Sequence, residues 1–171
     1  QWLRKAPWGE PGFSSLALSF AIFGFIGGTT GVIQGTEQVN MLAHNTLRIP
    51  GHFHTTVVAG TTLAFMGAAY YIIQLVGQRK LVWPKLAKAQ PYIFAIGVVI
   101  MALAMLAAGT MGVPRRHWDV AFADANLPTS LGDRIYGALG LVGIGAVIAF
   151  IGSLIFILIA VATLLKGEKT A

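Results

Sequence analysis

The sequence contains no cysteine. Disulfides, thiolate metal sites and covalent CxxCH haem attachment are therefore excluded within this chain, and its redox compartment stays undetermined. Charge is scarce as well. Charged residues make up 11% and hydrophobic ones 56%, with a mean hydropathy of +0.72, whereas soluble domains carry about a quarter charged residues. That balance describes an integral membrane protein. The net charge of +6 does not indicate a nucleic-acid partner, because the basic residues sit outside the apolar runs and form no aromatic-interleaved patch. The opening QWLRKAPWGEPG lacks a short apolar core followed by a small-residue cleavage site, so no signal peptide is expected. No internal repeat or low-complexity segment is present.

What the sequence does have is long apolar runs. Four of them, about 13–35, 50–76, 91–113 and 131–165, each reach the roughly 20 helical residues that cross a bilayer. The expected fold is all-α: a polytopic membrane bundle with residues 1–171 as a single membrane segment. The last run is long enough for tilt or an emergent end. In the first, Gly24, Gly27, Gly28 and Gly31 are expected to let helices approach closely in lipid. In the second, Thr55, Thr56, Thr61 and Thr62 are expected to bond back to helix carbonyls, in preference to forming a proton path. The third is expected to open at Pro91, whose missing N–H is harmless in a first turn. The fourth is glycine-rich between Gly132 and Gly152 and ends in LLKGEKTA, a charged tail expected to be solvated.

The loops predict an orientation. Arg4, Lys5, Arg79, Lys80, Lys85, Lys88, Lys166 and Lys169 fall on one side, and Arg48, Arg115, Arg116 and Arg134 on the other. The excess of Lys and Arg on cytoplasmic loops then puts both termini in the cytoplasm. The segment from His44 to His54 and the sequence PRRHW share the outer face.

His44–His54, HNTLRIPGHFH, holds three of the four histidines. His52 and His54 are two residues apart, and helical residues advance about 100° each, so the imidazoles point about 200° apart. They cannot chelate one ion together, since a single ion held from one helix wants histidines three or four positions apart. The spacing offers one ligand to each of two neighbours on opposite sides, with Phe53 between them. Two histidines in an ordinary polar bundle interior would look the same, but ionisable side chains at membrane depth are expensive and usually functional. Arg115 and Arg116 reach the same outer end. Haem fits this combination, because its iron needs an imidazole and its propionates need cationic donors, which an arginine fork meets bidentately. Interfacial anchors snorkelling to headgroups are the other reading of that pair.

These motifs resemble the last part of catalytic subunit I of the haem–copper oxygen reductases. HNTLRIPGHFH is similar to the family's loop and tenth helix, and VPRRHW to its propionate-binding motif between helices eleven and twelve. HNT with PGHFH, and LRKAPWGEP before the first span, are closer to the B-type branch than to the mitochondrial-like branch. The resemblance implies helices nine to twelve of a subunit with twelve or more helices, in a terminal respiratory oxidase that reduces oxygen to water with proton translocation. It implies two haems: His52 as proximal ligand of the high-spin haem, hence the catalytic residue, and His54 as one axial ligand of the low-spin haem. Arg115 and Arg116 match the pair that bonds propionates. A copper ion in the same active site takes its ligands from residues outside this chain. The implied partners are the remaining helices of subunit I, a copper-containing subunit II, and cytochrome c or quinol as electron donor, in a bacterial or archaeal cytoplasmic membrane.

His44 matches a position at the water-rich outlet above the haems where some relatives bind magnesium. Asn45 replaces the aspartate of the mitochondrial-like branch, and an amide is a weaker ligand for a hard cation, so hydrogen bonding is expected there instead. His117 and Trp118 differ from the tyrosine-containing version of the arginine motif, and His117 is given no ligand role. Once His52 and His54 are used, only His44 and His117 remain, outside the spans, so this chain is not sufficient alone. Two other classes stay open: a non-catalytic haem-binding electron-transfer subunit, which usually places ligands about four turns apart on paired helices, and a cofactor-free membrane scaffold, which leaves HFH and PRR unexplained.

Overall fold

A computed structural model describes residues 2–116 and 133–170. It is all-helical in its regular elements. A short helix, Trp2–Lys5, precedes four helices long and apolar enough to cross a membrane: Pro11–Gly35, Arg48–Val76, Pro84–Thr110 and Asp133–Lys166. A seven-residue helix, Glu37–Ala43, links the first span to the loop before the second.

The third span departs from expectation. It begins at Pro84, and Pro91 lies inside it, fully buried. Pro84 takes the first turn, where a missing N–H leaves nothing unpaired. The helix therefore starts one proline earlier than its apolar run does, because Lys85 and Lys88 make its first two turns polar. The span ends at Thr110, three residues short of Val113, and the chain turns out through Gly112 at φ +89, a left-handed conformation that glycine adopts freely. The expected start of the fourth span at residue 131, together with His117 and Trp118, lies outside the described residues.

Backbone contact holds the third and fourth spans together. A Cβ on Gly145 would sit 2.5 Å from the Met101 nitrogen, one on Gly152 would sit 2.7 Å from that of Phe94, and one on Gly97 would fall onto Ala149. Glycine at these crossings is required by space rather than by backbone conformation. The central core is Ile22 from the first span, Ala59, Leu63 and Met66 from the second, Phe94, Ala95, Val98 and Met101 from the third, and Ala149 from the fourth. One polar network is enclosed nearby, where Tyr70 donates to Gln90 Oε1 at 2.9 Å and Gln90 donates to the Gly152 carbonyl at 3.1 Å. Both side chains have no solvent exposure, so each hydrogen bond avoids the penalty of leaving a buried amide or phenol unpaired.

Both ends of the bundle are clasped by main-chain bridges. At one end Arg79 pairs with Lys169: the Lys80 N–H donates to the Glu168 carbonyl at 2.9 Å, and the Thr170 N–H to that of Gln78 at 2.8 Å. The charged tail is thus pinned to the loop between the second and third spans, with its charged side chains exposed and its backbone paired, not free in solvent. At the other end Thr46 bridges Pro114, which joins the two sequence motifs.

Candidate functional site

The second span is drawn onto the third where it starts. A Cβ on Gly51 would lie 2.9 Å from the Leu106 nitrogen, and one on Gly109 would collide with the Arg48 nitrogen. The first turn is fixed further by the Leu47 N–H donating to the Val113 carbonyl at 2.9 Å and by Gln34 Nε2 donating to the Arg48 carbonyl at 2.8 Å. His52 and His54 therefore project from a turn gripped from two sides.

The two imidazoles meet different partners. His52 turns to the first span, where its Nδ1 lies 2.9 Å from Thr30 Oγ1. That hydroxyl is 2.8 Å from the Ile26 carbonyl and 3.0 Å from that of Gly27. A carbonyl only accepts, so these two contacts favour placing the single hydroxyl proton there, and in that arrangement Thr30 accepts from an Nδ1–H of His52. His54 Nδ1 lies 2.7 Å from the Pro50 carbonyl, so it too carries the proton. In both rings the lone pair is left on Nε2, which has no hydrogen-bond partner among the described residues. Both rings are only partly buried. Phe53 between them is 54% exposed, with its ring centroid 5.8 Å from that of His52.

Below the histidines both spans widen. Ile22–Gly27 and His54–Thr61 are π-helical, a form uncommon except as short interruptions that often mark functional sites. They interlock: a Cβ on Gly60 would meet Phe23 at 2.5 Å, one on Gly27 would meet Thr56 at 2.7 Å, and Ser19 donates to the Gly60 carbonyl at 2.6 Å. Thr55 donates to the His52 carbonyl at 2.7 Å, and Thr56 reaches the same atom at 3.3 Å. These are the back-bonds expected of helix threonines, while Thr61 and Thr62, of which the same was expected, make none among the described residues. Of the four glycines expected to pack, Gly27 and Gly31 do so against Thr56 and His52, Gly28 meets only the Phe23 carbonyl of its own span at 4.0 Å, and Gly24 has nothing near its Cβ among the described residues.

The arginine motif is brought to the histidine loop by main-chain pairing. The Arg115 N–H donates to the Asn45 carbonyl at 2.8 Å, next to the Thr46–Pro114 bridge. Asn45 has φ 62, a left-handed conformation that asparagine tolerates better than most residues. Its main-chain carbonyl is what ties the arginine motif to this loop. The Arg115 and Arg116 side chains are exposed and have no acidic partner among the described residues. His44 is also exposed, beside Glu37, Asn40 and Met41 at a depression of about 250 Å³. Among the described residues no three His, Cys, Asp or Glu side chains converge on one point.

A family model described as cytochrome C and quinol oxidase polypeptide I matches residues 1–135. The chain belongs to that family. It is 31% identical over 163 residues to a cytochrome c oxidase subunit 1 of Thermus thermophilus, covering 93% of this chain and 28% of that one. A cytochrome c oxidase subunit 1 of Alkalihalophilus pseudofirmus is 28% identical over 173 residues, 98% of this chain and 26% of its own length. A solved structure of a heme-copper terminal oxidase dimer superposes with a TM-score of 0.80 at 30% identity, covering 94% of this chain and 28% of that chain. This oxidase-family chain thus spans less than a third of the length of each of these three relatives.

Neither Thr30 nor the Pro50 carbonyl was expected from the sequence as a partner of the histidines, and Gly31 was expected only as a packing glycine. The signal nearest to them was the small-residue stretch GGTTG, which reads as helix packing and shows its second purpose only once His52 is seen against it.

Proposed function

We propose that the chain is the C-terminal portion of the catalytic subunit of a terminal respiratory oxidase that reduces oxygen to water with proton translocation, in the B-type branch of its family. It supplies one axial ligand to each of two haems. His52 is the proximal ligand of the high-spin haem and His54 one ligand of the low-spin haem, with Arg115 and Arg116 holding propionates. The copper ligands lie outside this chain, among the remaining helices of subunit I. A copper-containing subunit II and a cytochrome c or quinol donor complete the assembly. Membership in the family and four membrane-competent helices support this reading, as does the gathering of eight basic residues at the end that would face the cytoplasm.

The observation that carries it is the matched state of the two imidazoles. A metal ligand must offer a neutral imidazole with a free lone pair, its other nitrogen held by a carbonyl, hydroxyl or carboxylate. Both rings meet that requirement through different partners, so the donor set fits two separate irons. Haem iron and copper supply the electron transfer and oxygen chemistry when bound. The residues of this chain orient each imidazole, set its basicity through the Nδ1–H bond, and present two guanidinium forks at the same end. His44 is assigned to hydrogen bonding at the water outlet, not to a metal.

The test is a reduced-minus-oxidised and carbon-monoxide difference spectrum of the intact complex. His52→Ala is expected to abolish carbon-monoxide binding, and His54→Ala to remove chiefly the low-spin signal. Loss of one and the same signal in both variants would refute the two-cofactor assignment.

A further inference from the structure

The two histidines differ in one respect that chain position does not dictate. His54 donates to a main-chain carbonyl of its own helix, four residues back. No substitution can remove that acceptor. His52 donates to a side-chain hydroxyl on another span, 22 positions earlier, and that acceptor is genetically adjustable. It is also a relay, running from His52 Nδ1–H to Thr30 Oγ1 and from Thr30 O–H to the Ile26 carbonyl. Successive hydrogen bonds in such a chain polarise one another. The carbonyl at its end therefore strengthens the pull of the hydroxyl on the imidazole proton, and the lone pair on Nε2 becomes more basic.

The neighbouring residue completes a cradle. A Cβ on Gly31 would come within 3.1 Å of His52 Cε1, so glycine lets the ring edge settle against the helix beside the Thr30 hydroxyl without being pushed back by a few tenths of an ångström. Thr30 itself is partly buried. Its acceptors at 2.8 and 3.0 Å are the last two carbonyls of the wide segment Ile22–Gly27.

We propose that Thr30 is a positioning residue for His52: it fixes the ring orientation and tautomer and sets how strongly Nε2 donates to the iron it binds. This rests on the assignment of His52 as the high-spin haem ligand. The competing account is that Thr30 only back-bonds to its own helix, as threonines commonly do, and that the imidazole lies beside it without energetic consequence.

Resonance Raman spectroscopy of the reduced intact complex reads the iron–histidine stretch directly. Thr30→Val keeps shape and volume but removes the acceptor. It is expected to shift that band to lower frequency and to raise the midpoint potential of the high-spin haem, because a weaker donor stabilises the ferric state less. Losses of roughly 10- to 100-fold in activity or metal affinity are typical when such a partner is removed. Thr30→Ser retains the hydroxyl and is expected to keep both band and potential near the parent values. The low-spin signal assigned to His54 should be intact in both variants and reports assembly. A Thr30→Val band that stays unshifted in an assembled complex, or a Thr30→Ser band that shifts as far as that of Thr30→Val, overturns the proposal. Retention of the iron–histidine band in His52→Ala would instead overturn the ligand assignment beneath it.

Discussion

Gly31 decides how closely the first span approaches the imidazole of His52. A methyl group there would lie 3.1 Å from Cε1, tighter than ordinary van der Waals contact, so the ring must yield by a few tenths of an ångström. Gly31→Ala is therefore expected to perturb the carbon-monoxide difference spectrum while leaving the low-spin signal in place. Gly24→Ala, with nothing near its Cβ among the described residues, should leave both spectra unchanged. It could gain up to about 1 kcal/mol, the usual helical disadvantage of glycine, read as a higher melting temperature of the purified complex. At this scale the sequence was half legible. A separation of two residues on one helix was enough to send His52 and His54 to different neighbours, because helical geometry is local. Thr30 was hidden because its pairing with His52 depends on how two spans cross, and nothing in a run of small residues says which hydroxyl will meet which ring.

Among the elements, the fourth span is where glycine content and function part. Gly145 touches the Met101 backbone, but Gly137, Gly140 and Gly143 have nothing near their Cβ positions among the described residues. Main chain cannot step aside as a side chain can. Gly145→Leu is expected to exceed the roughly 1–3 kcal/mol of ordinary overpacking and to prevent stable assembly, whereas Gly143→Leu should be tolerated. Yield and thermal melting of the detergent-solubilised complex distinguish the two. The glycine-rich stretch was visible in the sequence, but not which turn of it faced the third span. Pro91 misled for a related reason. The expected helix start followed the onset of the apolar run, while the true start followed Pro84, whose geometry suits a first turn even with lysines directly after it.

For the whole molecule, the four spans were readable from the four long apolar runs, and the basic loops around Arg79 and Lys169 meet at one end of the bundle. The ion pair there contributes little. Lys80 and Glu168 are 3.5 Å apart, with side chains 64% and 81% exposed, and such exposed pairs are worth at most about 1 kcal/mol. Glu168→Gln is expected to shift the melting temperature by less than its measurement scatter in moderate salt, because the main-chain bridge between Arg79 and Lys169 does not involve the carboxylate. What the sequence left unread was that both ends are closed by backbone pairing. Such pairing has no residue signature beyond the positive φ tolerated by Asn45.

Those two clasps are joined by one rod. The third span has 27 residues, a length of roughly 40 Å at 1.5 Å per residue. It leaves the loop that holds the chain terminus and arrives at the loop that faces the histidine segment. One inserted amino acid would lengthen it by about 1.5 Å and rotate its far end by about 100°, so at most one clasp could stay closed. Homologous chains should accordingly vary in loop length and side chain around this helix, but conserve the number of residues within it.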